Sequence, residues 1–303
     1  MRQLHEARCV RLRCREAGCR ACADACPRGA IAFEDRVPRL DPAGCQDCGA
    51  CAAACPVEAW GEASPGFAAL PRRLVSEARP VLGCRAEGVE AHERVPCLGA
   101  LSREHLLALA AFVPQGVWLN ATRCAECPLG EAVAGLEEKI RTLPAGWGPR
   151  LWVVRTADAL GFRPRACDRR GFFRSLRSGV VGRAAEWLAA GASGAVEEAR
   201  SRKRVPERVV LREAALATLP PDERGTVRGA VAPGPRRGEG CTACGRCAAV
   251  CPTGAMERVR EAGRRQVKFL PERCTGCGAC AAFCPRGAMS MGAPTGPAER
   301  EAA

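Results

Sequence analysis

The chain has 303 residues, enough for two or three domains, with 22 cysteines, no tyrosine and a net charge of +13. Its opening residues, MRQLHEARCVRLRC, lack the apolar run of a secretory signal and no stretch reaches the length of a membrane span. A cytoplasmic chain is therefore expected, in which so many cysteines read as metal ligands rather than disulfides. The basic residues are mostly Arg, interleaved with Glu and Asp and with few aromatic rings between them, which argues against nucleic acid and for docking onto an acidic protein surface.

In chain order, the first segment holds Cys9 and Cys14, then CRACADACPRGAI from Cys19 and CQDCGACAAACPVEAW from Cys45. The second stretch reads C-x2-C-x2-C-x3-C-P. The first fits it at Cys19, Cys22 and Cys26-Pro27, but Glu16 stands where its leading cysteine is expected, so Cys14 or Cys9 must substitute. Large apolar residues are few here (Ile31, Phe33, Trp60).

The middle alternates between strand and helix patterns. RPVLGC ending at Cys84 and ERVPC ending at Cys97 read as short strands. Ser102 caps a helix expected through Phe112, GVWLNA follows as a strand, a helix runs from about Leu129 to Leu143, and LWVVR from Leu151 is the last strand. This alternation predicts a small parallel α/β sheet. Cys84, Cys97, Cys124 and Cys127 all fall just after predicted strands, at the edge where ligands gather in such a sheet; they read either as a metal site or as buried structural thiols.

From Arg163 to Gly240 paired ligands are absent. DRRGFFRSL at Asp168 reads as part of an amphipathic basic helix and Cys167 as a free thiol. VPERVVLREAALATLPP predicts a helix between Pro206 and Pro220, and GAVAPGPRRGEG a Pro/Gly-rich linker. These basic helices are the expected partner-docking surface.

The chain closes with CTACGRCAAVCPTGAM from Cys241 and CTGCGACAAFCPRGAM from Cys274, both complete C-x2-C-x2-C-x3-C-P runs. Four copies in two pairs form an internal repeat. Structural zinc usually takes two ligands from each of two separated hooks, whereas this run sets three thiolates around one corner of a cube and turns the Cys-Pro thiolate to the partner motif's cluster.

Each terminal segment thus resembles a bacterial two-cluster [4Fe–4S] ferredoxin. The resemblance implies clusters on Cys241, Cys244, Cys247 and Cys284, and on Cys274, Cys277, Cys280 and Cys251. For the N-terminal segment it implies one on Cys45, Cys48, Cys51 and Cys26, and one on Cys19, Cys22 and Cys55 with either Cys9 or Cys14. Cys14 is nearer in spacing, CVRLR at Cys9 resembles the start of larger multicluster ferredoxins, and a three-iron cluster is the remaining option. Cores this small imply that cluster binding supplies much of the folding free energy.

RVPCLGALSREHLLALAAF followed by GVWLNATRCAECPLG and a helix resembles the delta-subunit iron–sulfur domain of methyl-viologen-reducing hydrogenases, over residues 78–160. That implies a [2Fe–2S] cluster on Cys84, Cys97, Cys124 and Cys127; zinc on the lone C-x2-C hook stays open.

The expected architecture is two α+β ferredoxin-like lobes, 1–68 and 233–294, each with pseudo-two-fold symmetry and flanking an α/β domain at 78–160, with a helical basic connector at 161–232. Neither a dinucleotide fingerprint nor a phosphate loop occurs, and His5, His92 and His105 are isolated. The expected function is electron relay between redox enzymes or subunits, with a hydrogenase, a heterodisulfide-reductase-like complex or a molybdopterin oxidoreductase as partner by resemblance. Thiol catalysis at the middle site and a zinc-stabilised interaction protein are the alternatives.

Overall fold

A computed structural model describes residues 2–61, 66–144, 146–164 and 203–292. The DRRGFFRSL stretch and Cys167 lie outside the described residues.

The N-terminal unit is built from single turns around buried sulfur. Helices α1 (Val10–Arg13) and α2 (Ala21–Asp24) precede an antiparallel hairpin of β1 (Ile31–Glu34) and β2 (Val37–Leu40), and α3 (Ala50–Ala54) follows. Asp35 and Arg36 make the two-residue turn, both at positive φ (43° and 75°), as the twist of a tight hairpin requires. The core combines Cys9, Cys22, Cys51 and Cys55 with Val10, Ile31, Val57 and Trp60.

The middle unit contains the largest apolar core. In order it comprises α4 (Leu70–Leu74), β3 (Val81–Cys84), β4 (Glu93–Val95), α5 (Arg103–Phe112), β5 (Val117–Asn120), α6 (Glu131–Arg141), β6 (Leu151–Val154) and α7 (Ala157–Leu160). The four strands pair in parallel in the order β4-β3-β5-β6 and coincide with the expected strand segments. Helix α5 starts in a reciprocal cap: the His105 N–H donates to Ser102 Oγ at 3.3 Å, and the Ser102 N–H to His105 Nδ1 at 3.1 Å. Leu106, Leu107, Leu109 and Ala110 are all fully buried, so α5 is covered on more than the sheet side.

The second cover is α8 (Glu207–Leu216), which is followed by α9 (Pro221–Val231). Here the structure departs from the expected docking surface. Arg212 is only 1% exposed, and Arg208 is directed into the protein, because both guanidiniums satisfy buried carbonyls and carboxylates of neighbouring units. Part of the expected linker is also regular structure: β7 (Gly234–Arg237) pairs antiparallel with a strand at the far end of the unit. Gly234 permits this, since a Cβ there would stand 2.9 Å from the Phe269 ring, and Pro235 is tolerated on an edge strand.

The C-terminal unit continues through α10 (Arg246–Val250), the antiparallel pair β8 (Met256–Glu261) and β9 (Arg264–Phe269), α11 (Ala279–Ala282) and β10 (Met289–Gly292), the partner of β7. Gly49, Gly245 and Gly278 immediately precede α3, α10 and α11 with φ of 82°, 79° and 73°, a conformation glycine adopts without steric cost. In the first motif that place belongs to Arg20 with φ of −126°, so the chain enters α2 along a different path. Val250 and Ala279 join the N-terminal core, packing the two cysteine-rich units against each other. No helix among the described residues is long and apolar enough to cross a membrane.

Candidate functional site

Three hollows are each lined by four cysteines. Cys241, Cys244, Cys247 and Cys284 line one; Cys26, Cys45, Cys48 and Cys51 a second; and Cys251, Cys274, Cys277 and Cys280 a third. In each, three thiols come from one motif and the fourth from the Cys-Pro of the other motif in the same unit. The short helix after the left-handed glycine turns the third thiol inward, so Cys51, Cys247 and Cys280 are all buried.

Cys9 lies near the remaining N-terminal thiols. Its thiol is pushed up first by burial and then by the charges of Cys19 and Cys22, while Cys55, with Cys9 among its neighbours, is pushed by burial up to about 11. Cys14 is also buried but faces elsewhere, its Sγ 3.4 Å from Glu16 Oε2 and 4.0 Å from the Ala279 carbonyl.

The middle thiols meet at the carboxyl ends of adjacent strands. Cys84 ends β3, Cys97 follows β4, and Cys124 and Cys127 follow β5. Burial raises Cys97 to about 11, with the charges of Cys48, Cys84 and Cys124 adding to it, and Cys124 is raised by burial and then by Cys84 and Cys127. Gly130 brings the loop tight against this turn: a Cβ there would stand 2.3 Å from the Cys124 carbonyl.

Backbone N–H groups are aimed at several sulfurs. Ala30 donates to Cys26 Sγ at 3.3 Å, Ala59 to Cys55 Sγ at 3.2 Å, Asp47 to Cys45 Sγ, Leu129 to Cys127 Sγ and Gly276 to Cys274 Sγ each at 3.4 Å. Such donors favour sulfur that carries negative charge. Burial also raises Cys51, Cys277 and Cys280 each to about 12.

The donor set fits a polynuclear group better than a single ion. Zinc, with Zn–S bonds of about 2.3 Å, would draw its four sulfurs to about 3.8 Å from one another. Among the described residues no group of three or more His, Cys, Asp or Glu side chains is placed to hold one metal ion, although four thiols line each of three hollows.

Cations that sequence reasoning did not single out reach the same segments. Arg208 Nη1 donates to the Cys55 carbonyl at 2.8 Å, Arg212 Nη1 to the Cys274 carbonyl at 2.6 Å, and Lys203 Nζ to the Cys251 carbonyl at 2.6 Å. The only signal for them in the sequence was the four-residue spacing of Arg208 and Arg212, which puts both on one helix face. His105 is lowered by burial to about 3 and serves the α5 cap, and His92 Nδ1 accepts from the Val81 N–H, so both have structural partners.

No curated protein and no solved structure matches the chain. The family described as the 4Fe-4S dicluster domain matches residues 13–59 and again 240–288. The first match begins after Cys9 and takes in Cys14, whereas Cys9 lies close enough to Cys19, Cys22 and Cys55 to interact with them. The chain therefore carries two 4Fe-4S dicluster domains, with [4Fe–4S] clusters as their cofactors, on either side of a region containing a parallel four-stranded sheet.

Proposed function

We propose that this protein relays single electrons between redox enzymes or subunits through four [4Fe–4S] clusters and a fifth centre in the middle unit. The units are 1–68, 78–160 and 233–294, with 161–232 as connector. The ligand sets are Cys26, Cys45, Cys48 and Cys51; Cys9, Cys19, Cys22 and Cys55; Cys251, Cys274, Cys277 and Cys280; and Cys241, Cys244, Cys247 and Cys284. Cys9 is preferred to Cys14 because the Cys14 thiol faces Glu16 and Ala279. Cys84, Cys97, Cys124 and Cys127 hold the fifth centre, a [2Fe–2S] cluster by resemblance to the hydrogenase delta-subunit domain.

The observation that carries this reading is the row formed by the thiol sets. Cys97 of the middle unit neighbours Cys48, and Cys51 of that set neighbours Cys22. Arg13, in α1 beside Cys9, neighbours Cys251 and Cys277 across the contact between units. Within the C-terminal unit, Met256 lines hollows shared with Cys251 on one side and with Cys241 and Cys247 on the other. Iron–sulfur clusters supply one-electron chemistry, and a row of them serves transfer rather than substrate conversion.

At the C-terminal end of the row Cys244 is exposed, with exposed Arg246 and Arg286 lining the same hollow and exposed Arg258 against the adjoining Gly245. That charge supports a partner with an acidic docking surface, such as a hydrogenase, a heterodisulfide-reductase-like complex or a molybdopterin oxidoreductase. Reductive titration of anaerobically purified protein tests the relay. It should take up about four electrons per chain, or about five with the middle centre, each giving an iron–sulfur EPR signal. A protein that accepts no electrons contradicts the relay.

A further inference from the structure

Three cations from separate parts of the chain converge on one thiol set. Lys203 Nζ donates to the carbonyls of Ala248 and Ala249, both at 2.9 Å, and of Cys251 at 2.6 Å. The buried Arg212 donates to the carbonyls of Cys274 at 2.6 Å, Glu272 at 3.2 Å and Pro271 at 3.3 Å. Arg13 approaches from the N-terminal unit close enough to interact with Cys251 and Cys277; its Nη1 donates to the Ala7 carbonyl, while its Nε is buried with no hydrogen-bond partner.

These charges are poorly compensated. Among the described residues Lys203 and Arg13 form no ion pair, each satisfying carbonyl oxygens instead. Arg212 meets Glu213 at 2.8 Å, but Glu213 is shared with Arg228, so two guanidiniums face one carboxylate. The other thiol set of the same unit has a different environment. Its nearby cations, Arg246, Arg258 and Arg286, are exposed, and water and salt screen them, whereas Arg212 is buried, Arg13 is half-buried, and Lys203, although exposed, has its ammonium held by three carbonyls.

We propose that Arg13, Lys203 and Arg212 form a collar of positive charge that raises the reduction potential at Cys251, Cys274, Cys277 and Cys280 above that at Cys241, Cys244, Cys247 and Cys284. The inference rests on the relay reading. Accepting an electron adds one negative charge, and the collar stabilises that charge through a medium that screens less than water. No bond forms or breaks: a low-potential one-electron donor protein loses one electron, and the collar retains it where the two cysteine-rich units meet. Since Arg13, Lys203 and Arg212 come from different segments, the high potential also depends on docking of the N-terminal unit.

The test is an anaerobic, EPR-monitored redox titration of the full-length holoprotein, with iron measured in every sample. The relevant centre is the one whose signal Cys277→Ser removes or alters. In the unsubstituted protein its midpoint should lie above that of the centre held by Cys241, Cys244, Cys247 and Cys284. Lys203→Met and Arg13→Met should each lower that midpoint and leave the others unchanged, and Lys203→Arg should restore it. An unchanged midpoint in iron-replete variants, or an equal shift of every centre, overturns the collar while the relay stands.

If Lys203→Met fails to retain iron, a salt series on the unsubstituted protein decides. Up to about 1 M salt the midpoint of this centre should move less than that of the exposed set, because Arg212 is buried and Arg13 half-buried. The reverse pattern overturns the collar. Absence of iron and sulfide from the unsubstituted protein would overturn the relay itself, and the collar with it.

Discussion

Arg208 Nη2 lies 2.8 Å from Glu104 Oε2 inside the protein, an ion pair that ties α8 to the first turn of α5. The same arginine donates to the Cys55 and Ala53 carbonyls, and its backbone N–H donates to Glu58 Oε1 at 2.9 Å. One residue thus links the middle sheet domain to the N-terminal cysteine unit. Arg208→Met leaves a buried carboxylate without its partner and should cost about 3–5 kcal/mol, read from chemical denaturation of the holoprotein. The double variant Glu104→Met/Arg208→Met should recover part of that loss. Equal losses in the single and double variants would contradict this account of the pair.

Acid should weaken the protein in two stages. Burial lowers His105 from its usual 6.5 to about 3. Burial alone would raise Glu104, but the Arg208 charge and hydrogen bonds from Arg208 and Ser102 outweigh it and hold the carboxyl at about 2, below its usual 4.5. Both folded values lie below the unfolded ones, so as pH falls the unfolded chain binds protons first. Stability is complete above about pH 6.5, falls toward pH 3 through His105, and falls further between pH 4.5 and 2 through Glu104. His105→Gln retains a side chain able to close the α5 cap and removes the upper window. Between about pH 7.5 and 5.5 the wild type should lose on the order of 1 kcal/mol more than this variant in anaerobic urea unfolding. Equal losses would contradict it.

Cys9 and Cys14 should separate cleanly. Cys9→Ser should remove or convert one cluster, lowering iron by about one to four atoms per chain. Cys14→Ser should retain the full iron content, because that thiol faces Glu16 and the Ala279 carbonyl. The opposite pattern would transfer the ligand role to Cys14, in line with the start of the family match at residue 13.

The middle thiols give a similar contrast. Cys124→Ser should lower iron and labile sulfide by about two atoms each and leave the [4Fe–4S] signals in place. Loss of zinc at constant iron would instead assign a mononuclear site to Cys84, Cys97, Cys124 and Cys127.

Much of this organisation is legible in local spacing. A C-x2-C-x2-C run with a left-handed glycine after its second cysteine and a helical turn through its third brings three thiols to one hollow within a few residues, and an apolar run such as GVWLNA needs only its neighbours to be read as a strand. What depends on distant partners is not. Arg20 in place of the glycine marks the first motif as irregular, but spacing does not announce that the turn of α1 leaves Cys9 near Cys19 and Cys22. Arginines on an amphipathic helix read as a solvated face; that Arg208 and Arg212 point inward depends on carbonyls of Cys55 and Cys274, which no local pattern announces. The Pro/Gly composition of Gly234–Arg237 likewise reads as a linker because its strand partner, Met289–Gly292, lies some fifty residues away.

The central claim is tested most directly by measuring iron, acid-labile sulfide and zinc in anaerobically purified protein. The relay requires roughly 16 iron atoms per chain with equal sulfide, or roughly 18 with a two-iron centre in the middle unit. Zinc bound in place of iron, with no sulfide, would contradict it.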